Sequence, residues 1–93
     1  MRALRLDEFK EREGQSFELR LGEREIALTL AKVNALPDSG REGGAFTLDW
    51  VGPYEPVLPQ GIYSLRHGEA EFEVFMVPLA QERAGARYEA VFN

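Results

Sequence analysis

Residues 16–30 read SFELRLGEREIALTL, and the spacing of their apolar side chains decides the fold class. Phe17, Leu19 and Leu21 alternate with Glu18 and Arg20. That period of two puts the apolar residues on one face of a half-buried strand. Gly22-Glu23-Arg24 is a tight-turn signal, so the chain is expected to fold back as a hairpin with Ile26, Leu28 and Leu30 turned inward. The return run, EIALTLAKVNAL (25–36), loses its alternation past Lys32, which predicts a bend or a bulge.

The same period continues outward from this hairpin. AFTLDWVG (45–52) places Phe46, Leu48 and Trp50 on the core face, and GIYSLRH (61–67) sets Tyr63 and Leu65 against Ser64 and Arg66. EFEVFMVPL (71–79) turns Phe72 and Val74 inward, then becomes apolar on both faces from Phe75. A strand covered on both sides, by core beneath and by a helix or partner above, is the simplest reading. RYEAVFN (87–93) reads as a final strand with an edge open to pairing. Upstream, LDEFKERE (6–13) predicts one short helix, with Asp7 as N-cap, Glu8 at the positive end of the dipole and Gly14 as the stop. Leu6 and Phe9 share a face and would plug the core. PDSGREGG (37–44) reads as a flexible loop, and HGEA (67–70) and ERAGA (82–86) as short turns. The expected fold class is mainly β, about six antiparallel strands in a small barrel or rolled sheet, with one helix at 6–13 and a single domain over 1–93. A barrel is preferred to a sandwich because closure removes edges.

Composition narrows the function classes. Six Phe, three Tyr and one Trp within 93 residues supply a core without staples. There is no cysteine and a single histidine, so neither a thiolate metal site nor a closed zinc set can be assembled from one chain, and no cofactor is expected. The formal charge is −5, and residues 43–93 hold three basic against seven acidic side chains. No basic stripe marks a nucleic-acid footprint. No apolar run reaches the roughly 18 residues of a membrane span, and MRALRLDEFKEREG lacks the apolar core of a secretory signal. The expectation is a soluble cytoplasmic domain, exported only as part of a larger assembly.

The search for catalytic chemistry finds little. Ser16, Ser39 and Ser64 lack a nucleophile-elbow setting, and Ser64 points away from His67 on an extended strand. His67, beside Gly68, reads as a solvated turn residue; a ligand or proton-transfer role is the alternative. Glu69, Glu71 and Glu73 fall on one strand face about 7 Å apart, a spacing open to a carboxylate pair or a hard cation but simpler as a solvated face. SGREGG (39–44) lacks the lysine of a phosphate cradle, leaving Arg41 as its one anion contact.

PYEPVLPQGIYSLRHG (53–68) is the most distinctive stretch. Pro53, Pro56 and Pro59 repeat every third residue, the period of polyproline II. One reading is a stiff lid that plugs a barrel end with Val57 and Leu58. The other is a preorganised edge that docks a partner, with Trp50 and Tyr54 as aromatic anchors. The expected function is therefore a non-enzymatic interaction or structural module that meets another protein or a second copy of itself. Its partner-binding candidates are Trp50, Tyr54, Val57, Leu58 and Phe75. A small-ligand barrel whose mouth is lined by Trp50, Tyr63, His67 and Tyr88 is the alternative, followed by an enzyme built on the glutamate row.

VLPQGIYSLRH (57–67), FEVFMVPLA (72–80) and YEAVFN (88–93), together with the LDEF opening and the GxxFxL first strand, resemble the DUF6916 family of small uncharacterised bacterial β proteins. The resemblance implies a stand-alone β domain with no catalytic residues or cofactors attached to the motif. It also implies an accessory role in a phage-tail-like or tail-fibre assembly.

Overall fold

In the computed structural model, which describes residues 3–37 and 40–93, the opening hairpin forms as its spacing dictates. β1 (Ser16–Leu21) turns at Gly22-Glu23 into β2 (Arg24–Ala35), with Leu28 opposite Phe17 and Ile26 opposite Leu19. Gly22 has φ +63°, which a two-residue turn of this kind requires. The blurred alternation past Lys32 is a bulge: the register with β3 (Phe46–Gly52) shifts between Leu30 and Lys32, and the inward series resumes at Val33. Leu21, expected inward, is exposed at the hairpin tip.

β4 (Gly61–His67), β5 (Ala70–Glu82) and β6 (Gly85–Phe92) complete a closed barrel in the order β1-β2-β3-β6-β5-β4, with all neighbours antiparallel. β6 pairs with β3 on one side and β5 on the other. The free C-terminal edge expected from the sequence is thus consumed by closure. The joint that closes the barrel is narrow, since β1 meets β4 only at Glu18–Arg66 and Leu19–Leu65.

The interior is filled by the inward residues of all six strands. Phe17, Leu28, Leu30, Leu48, Leu65 and Val74 are wholly buried, and Phe17 meets Trp50 edge-on at 4.9 Å. One end of the barrel is stoppered by α1 (Leu6–Lys10), whose Phe9 ring lies 4.9 Å from Phe72 and 5.8 Å from Phe46. The helix is shorter than the expected 6–13. Beyond Lys10 the backbone is recruited to β2: Gly14 N–H donates to Leu30 O and the Glu13 carboxylate accepts from Val33 N–H, so residues 11–14 are turns. Arg5, not Asp7, occupies the N-cap position, and the Glu8 carboxylate accepts its N–H at 2.9 Å.

The other end is stoppered by the proline-rich loop. Leu58 is 2 % exposed, and its backbone N–H donates to the Tyr88 hydroxyl at 2.8 Å inside the barrel mouth. The Tyr63 hydroxyl donates to Pro59 O, and Ala86 N–H donates to Pro53 O. Residues 54–56 form bends, which replace the uninterrupted polyproline II run that the proline spacing suggested. The loop is a lid.

Candidate functional site

The outer wall of the barrel is uneven. β2 and β5 stand opposite each other in the strand order, and their outward faces differ in chemistry. Glu25, Ala27 and Thr29 face outward from β2. From β5, Phe75 (49 % exposed) and Leu79 (50 %) face solvent, and Ile62 (66 %) stands directly across from Phe75 on β4. Pairing an aromatic with a β-branched residue across two strands gives one continuous apolar surface, not two isolated side chains. Nothing among the described residues covers it. The doubly apolar strand that the sequence implied is therefore covered on its core side only.

The lid joins this wall at one end. Gln81, two residues after Leu79, donates its side-chain N–H to Tyr54 O at 2.8 Å and so ties the exposed Tyr54 to the end of β5. At the lid's inner side, burial raises the Tyr63 phenol above its ordinary pKa of 10.0, and neighbouring Tyr88 adds to the rise.

Toward β6 the wall becomes charged. Val77 lies opposite Glu89, and Glu89 lies opposite Asp49 on β3. Both carboxylates are half-buried on the outer face. Neither has an ion-pair or hydrogen-bond partner among the described residues. Lys32 stands directly opposite Asp49 on β2 without forming an ion pair with it.

Of the five sequence-predicted partner residues, Phe75 and Tyr54 lie on or beside this wall, and Val57 is exposed on the lid. Trp50 and Leu58 are corrected to core. Trp50 is 0 % exposed because its alternating position turns it inward beside Phe17, and its indole N–H has no hydrogen-bond partner among the described residues. Leu58 fills the lid end. Leu79 lies in the doubly apolar run from Phe75 that the sequence marked, whereas Ile62 and the Asp49–Glu89 pair were missed, although one signal was available. Ile62 is an apolar residue on the strand face otherwise formed by Ser64 and Arg66.

The remaining candidates do not converge. Tyr63 and His67 sit near opposite ends of β4, while Trp50 and Tyr88 are buried register partners. No shared mouth unites the four. His67 is not a freely solvated turn residue: its Nδ1 accepts from Arg12 Nε at 3.3 Å, its Nε2 is bonded to Gln15 Oε1, and its ring lies 5.0 Å from Phe17. It fastens the turn after α1 to the barrel rim. Glu69 lies in the turn before β5, and Glu71 and Glu73 are exposed on the strand. No group of three metal-ligating side chains occurs among the described residues. Arg41 donates to Leu4 O and Gly44 O and stacks over Phe46 and Phe92, so its guanidinium is committed to the fold. Asp38 and Ser39 of the expected flexible loop lie outside the described residues. An open depression is bordered by Arg24, Glu55 and Pro56 at the lid end, away from these groups. No helix among the described residues is long and apolar enough to cross a membrane.

Comparison with curated proteins and with solved structures gave no match. The family comparison did: the model of a domain of unknown function, DUF6916, matches residues 4–92, nearly the whole chain, and the protein belongs to that family.

Proposed function

We propose that this barrel is a protein-interaction module whose docking surface is the β5 wall, formed by Ile62, Phe75 and Leu79 with Tyr54 at its lid end. The observation that carries the reading is the Ile62–Phe75 pair, which is the most exposed apolar pairing of the sheet register and lies opposite a polar wall. Fully burying such side chains is worth about 1.5–3 kcal/mol each, enough to anchor a partner once water is excluded around them. A barrel filled by side chains and stoppered at both ends leaves no observation that favours a small-ligand site. An accessory part of a phage-tail-like or fibre assembly is one setting in which such a module serves.

The test is co-purification from the source cell with a tagged full chain. The parent should retain a partner near stoichiometry, and Ile62→Ser/Phe75→Ser should lose it while Ala27→Ser on β2 keeps it. Retention that survives the double substitution refutes the wall as the docking surface.

A further inference from the structure

We propose that the partner joins this barrel as an extended strand, added to an open backbone edge that β4 presents between Ile62 and Ser64. The proposal rests on the docking reading above and names the form of its partner: a single extended segment of another protein, apolar where it passes Ile62.

The edge follows from the ladder. Gly68, with φ +62°, opens the two-residue turn between His67 and Ala70, and Gly22 holds the equivalent place between Leu21 and Arg24. Residues flanking such a turn exchange both backbone hydrogen bonds, and bonded and non-bonded pairs then alternate along the strands. Leu65, Tyr63 and Gly61 therefore bond across to β5, whereas Arg66, Ser64 and Ile62 turn their N–H and C=O groups toward β1. By the same count, Glu18 and Arg20 turn theirs toward β4. The two strands meet at Glu18–Arg66 and Leu19–Leu65, and there the register stops. The Ser64 N–H and both backbone groups of Ile62 lie beyond the last pair. Among the described residues, no backbone bond from a loop or turn reaches them.

The edge is also unguarded. Open edges are commonly blunted by a charge, a proline or a bulge, and Gly61-Ile62-Tyr63-Ser64 carries none of these. Ile62 is the most exposed large apolar residue among those described, at 66 %, and Phe75 across from it continues the apolar surface onto β5. A partner that covers this pair also takes water away from the backbone groups beside it. Leaving them covered and unpaired is costly. An extended chain supplies donors and acceptors at the matching two-residue repeat. The edge is short, so its bonds add to the apolar contact and do not replace it.

The surroundings select a single strand. β1 runs on past the last pair as Arg20 and Leu21, which stay paired with β2, so the hairpin tip stands on the far side of the gap. A strand entering there cannot carry a sheet behind it. A second copy would bring its own β4 with β5 attached, and that sheet would collide with the hairpin tip. A nucleic acid offers no peptide backbone, and a formal charge of −5 repels its phosphates. An extended polypeptide with an apolar residue beside Ile62 meets both demands, because apolar cross-strand pairs stabilise adjoining strands.

The experiment repeats the co-purification with Ser64→Pro and, beside it, Ser64→Ala. Proline removes the N–H and sets its ring into the edge, whereas alanine loses only the hydroxyl, and both leave Ile62 and Phe75 in place. Proline is tolerated where a strand's N–H faces no neighbour, so Ser64→Pro should melt in urea much as the parent does. Retention of the partner should fall about tenfold in Ser64→Pro, the loss expected for one hydrogen bond worth ~1.4 kcal/mol. Ser64→Ala should retain it as the parent does. Hydrogen exchange reads the same edge without a variant. In the free chain the Ile62 and Ser64 amides should exchange fast while those of Tyr63 and Leu65 are protected, and in the co-purified complex all four should be protected. Ile62 and Ser64 amides that exchange in the complex as they do in the free chain overturn strand addition, whether or not Ser64→Pro folds. A folded Ser64→Pro that retains the partner as the parent does overturns it too. In either case, loss by Ile62→Ser/Phe75→Ser leaves the docking wall standing. A retained partner that proves to be a second copy of this chain also overturns the foreign strand. Retention by Ile62→Ser/Phe75→Ser overturns both readings, as does a parent chain that retains nothing.

Discussion

Leu58 of the lid is held by one buried hydrogen bond, and Tyr88→Phe removes it while leaving the ring in place. Leu58 N–H and the Tyr88 hydroxyl meet at 2.8 Å, with both residues 2 % exposed. Without the hydroxyl, the amide is left buried and unpaired, a cost of about 1–3 kcal/mol. For a domain of this size each 1 kcal/mol shifts Tm by roughly 4–8 °C, so a fall of about 4–24 °C is expected. Leu58→Ala acts on the same lid by emptying the barrel mouth, and should cost about 2–5 kcal/mol. The double substitution should cost less than the sum, because an already loosened lid no longer buries the orphaned amide. Urea and thermal unfolding followed through the fluorescence of Trp50, the one tryptophan and wholly buried, measure all three variants. Native-state hydrogen exchange adds a local readout, in which the Leu58 amide should lose protection first. A Tyr88→Phe variant within about 0.5 kcal/mol of the parent, with that amide still protected, refutes the lid.

Two further expectations concern the same end of the barrel. Gly85 has φ +138°, and a Cβ there would sit 2.2 Å from Gly52 O, a backbone atom that cannot step aside. Gly85→Ala should therefore cost about 3 kcal/mol or more in a urea melt, and a melt like the parent's contradicts the close approach of β6 to β3. Tyr63 titrates above its ordinary 10.0 in the folded chain, chiefly because burial disfavours the phenolate. The folded state then holds its proton longer than the unfolded state does. The associated stability is complete below pH 10.0 and is lost as pH rises through the higher folded value. Tyr63→Phe should flatten that alkaline decline, and an unchanged slope argues against the burial.

The local parts of this fold were legible in the sequence. Period-two alternation located all six strands, Lys32 marked the bulge, and Phe9 marked the plug. Interactions between distant segments were not legible. That β6 has no free edge follows from pairing with both β3 and β5, and His67 is tied by Gln15 and Arg12, some fifty residues away in sequence. Trp50 shows two sequence signals in conflict. Its residue type suggested an interface anchor and its alternation with Phe46 and Leu48 suggested core, and position prevailed because a one-residue shift would expose the whole strand face. The apolar wall needed the β4–β5 register. Ile62 and Phe75 are unremarkable apart and become one surface only when set opposite each other.

Site-specific photo-cross-linking tests that surface most directly. A benzophenone amino acid is placed at Phe75 on β5, and separately at Ala27 on the opposite wall, in the full chain expressed in its source cell. The account predicts a discrete adduct of one partner from position 75 and none from position 27. An adduct from position 27 with none from position 75 would contradict it.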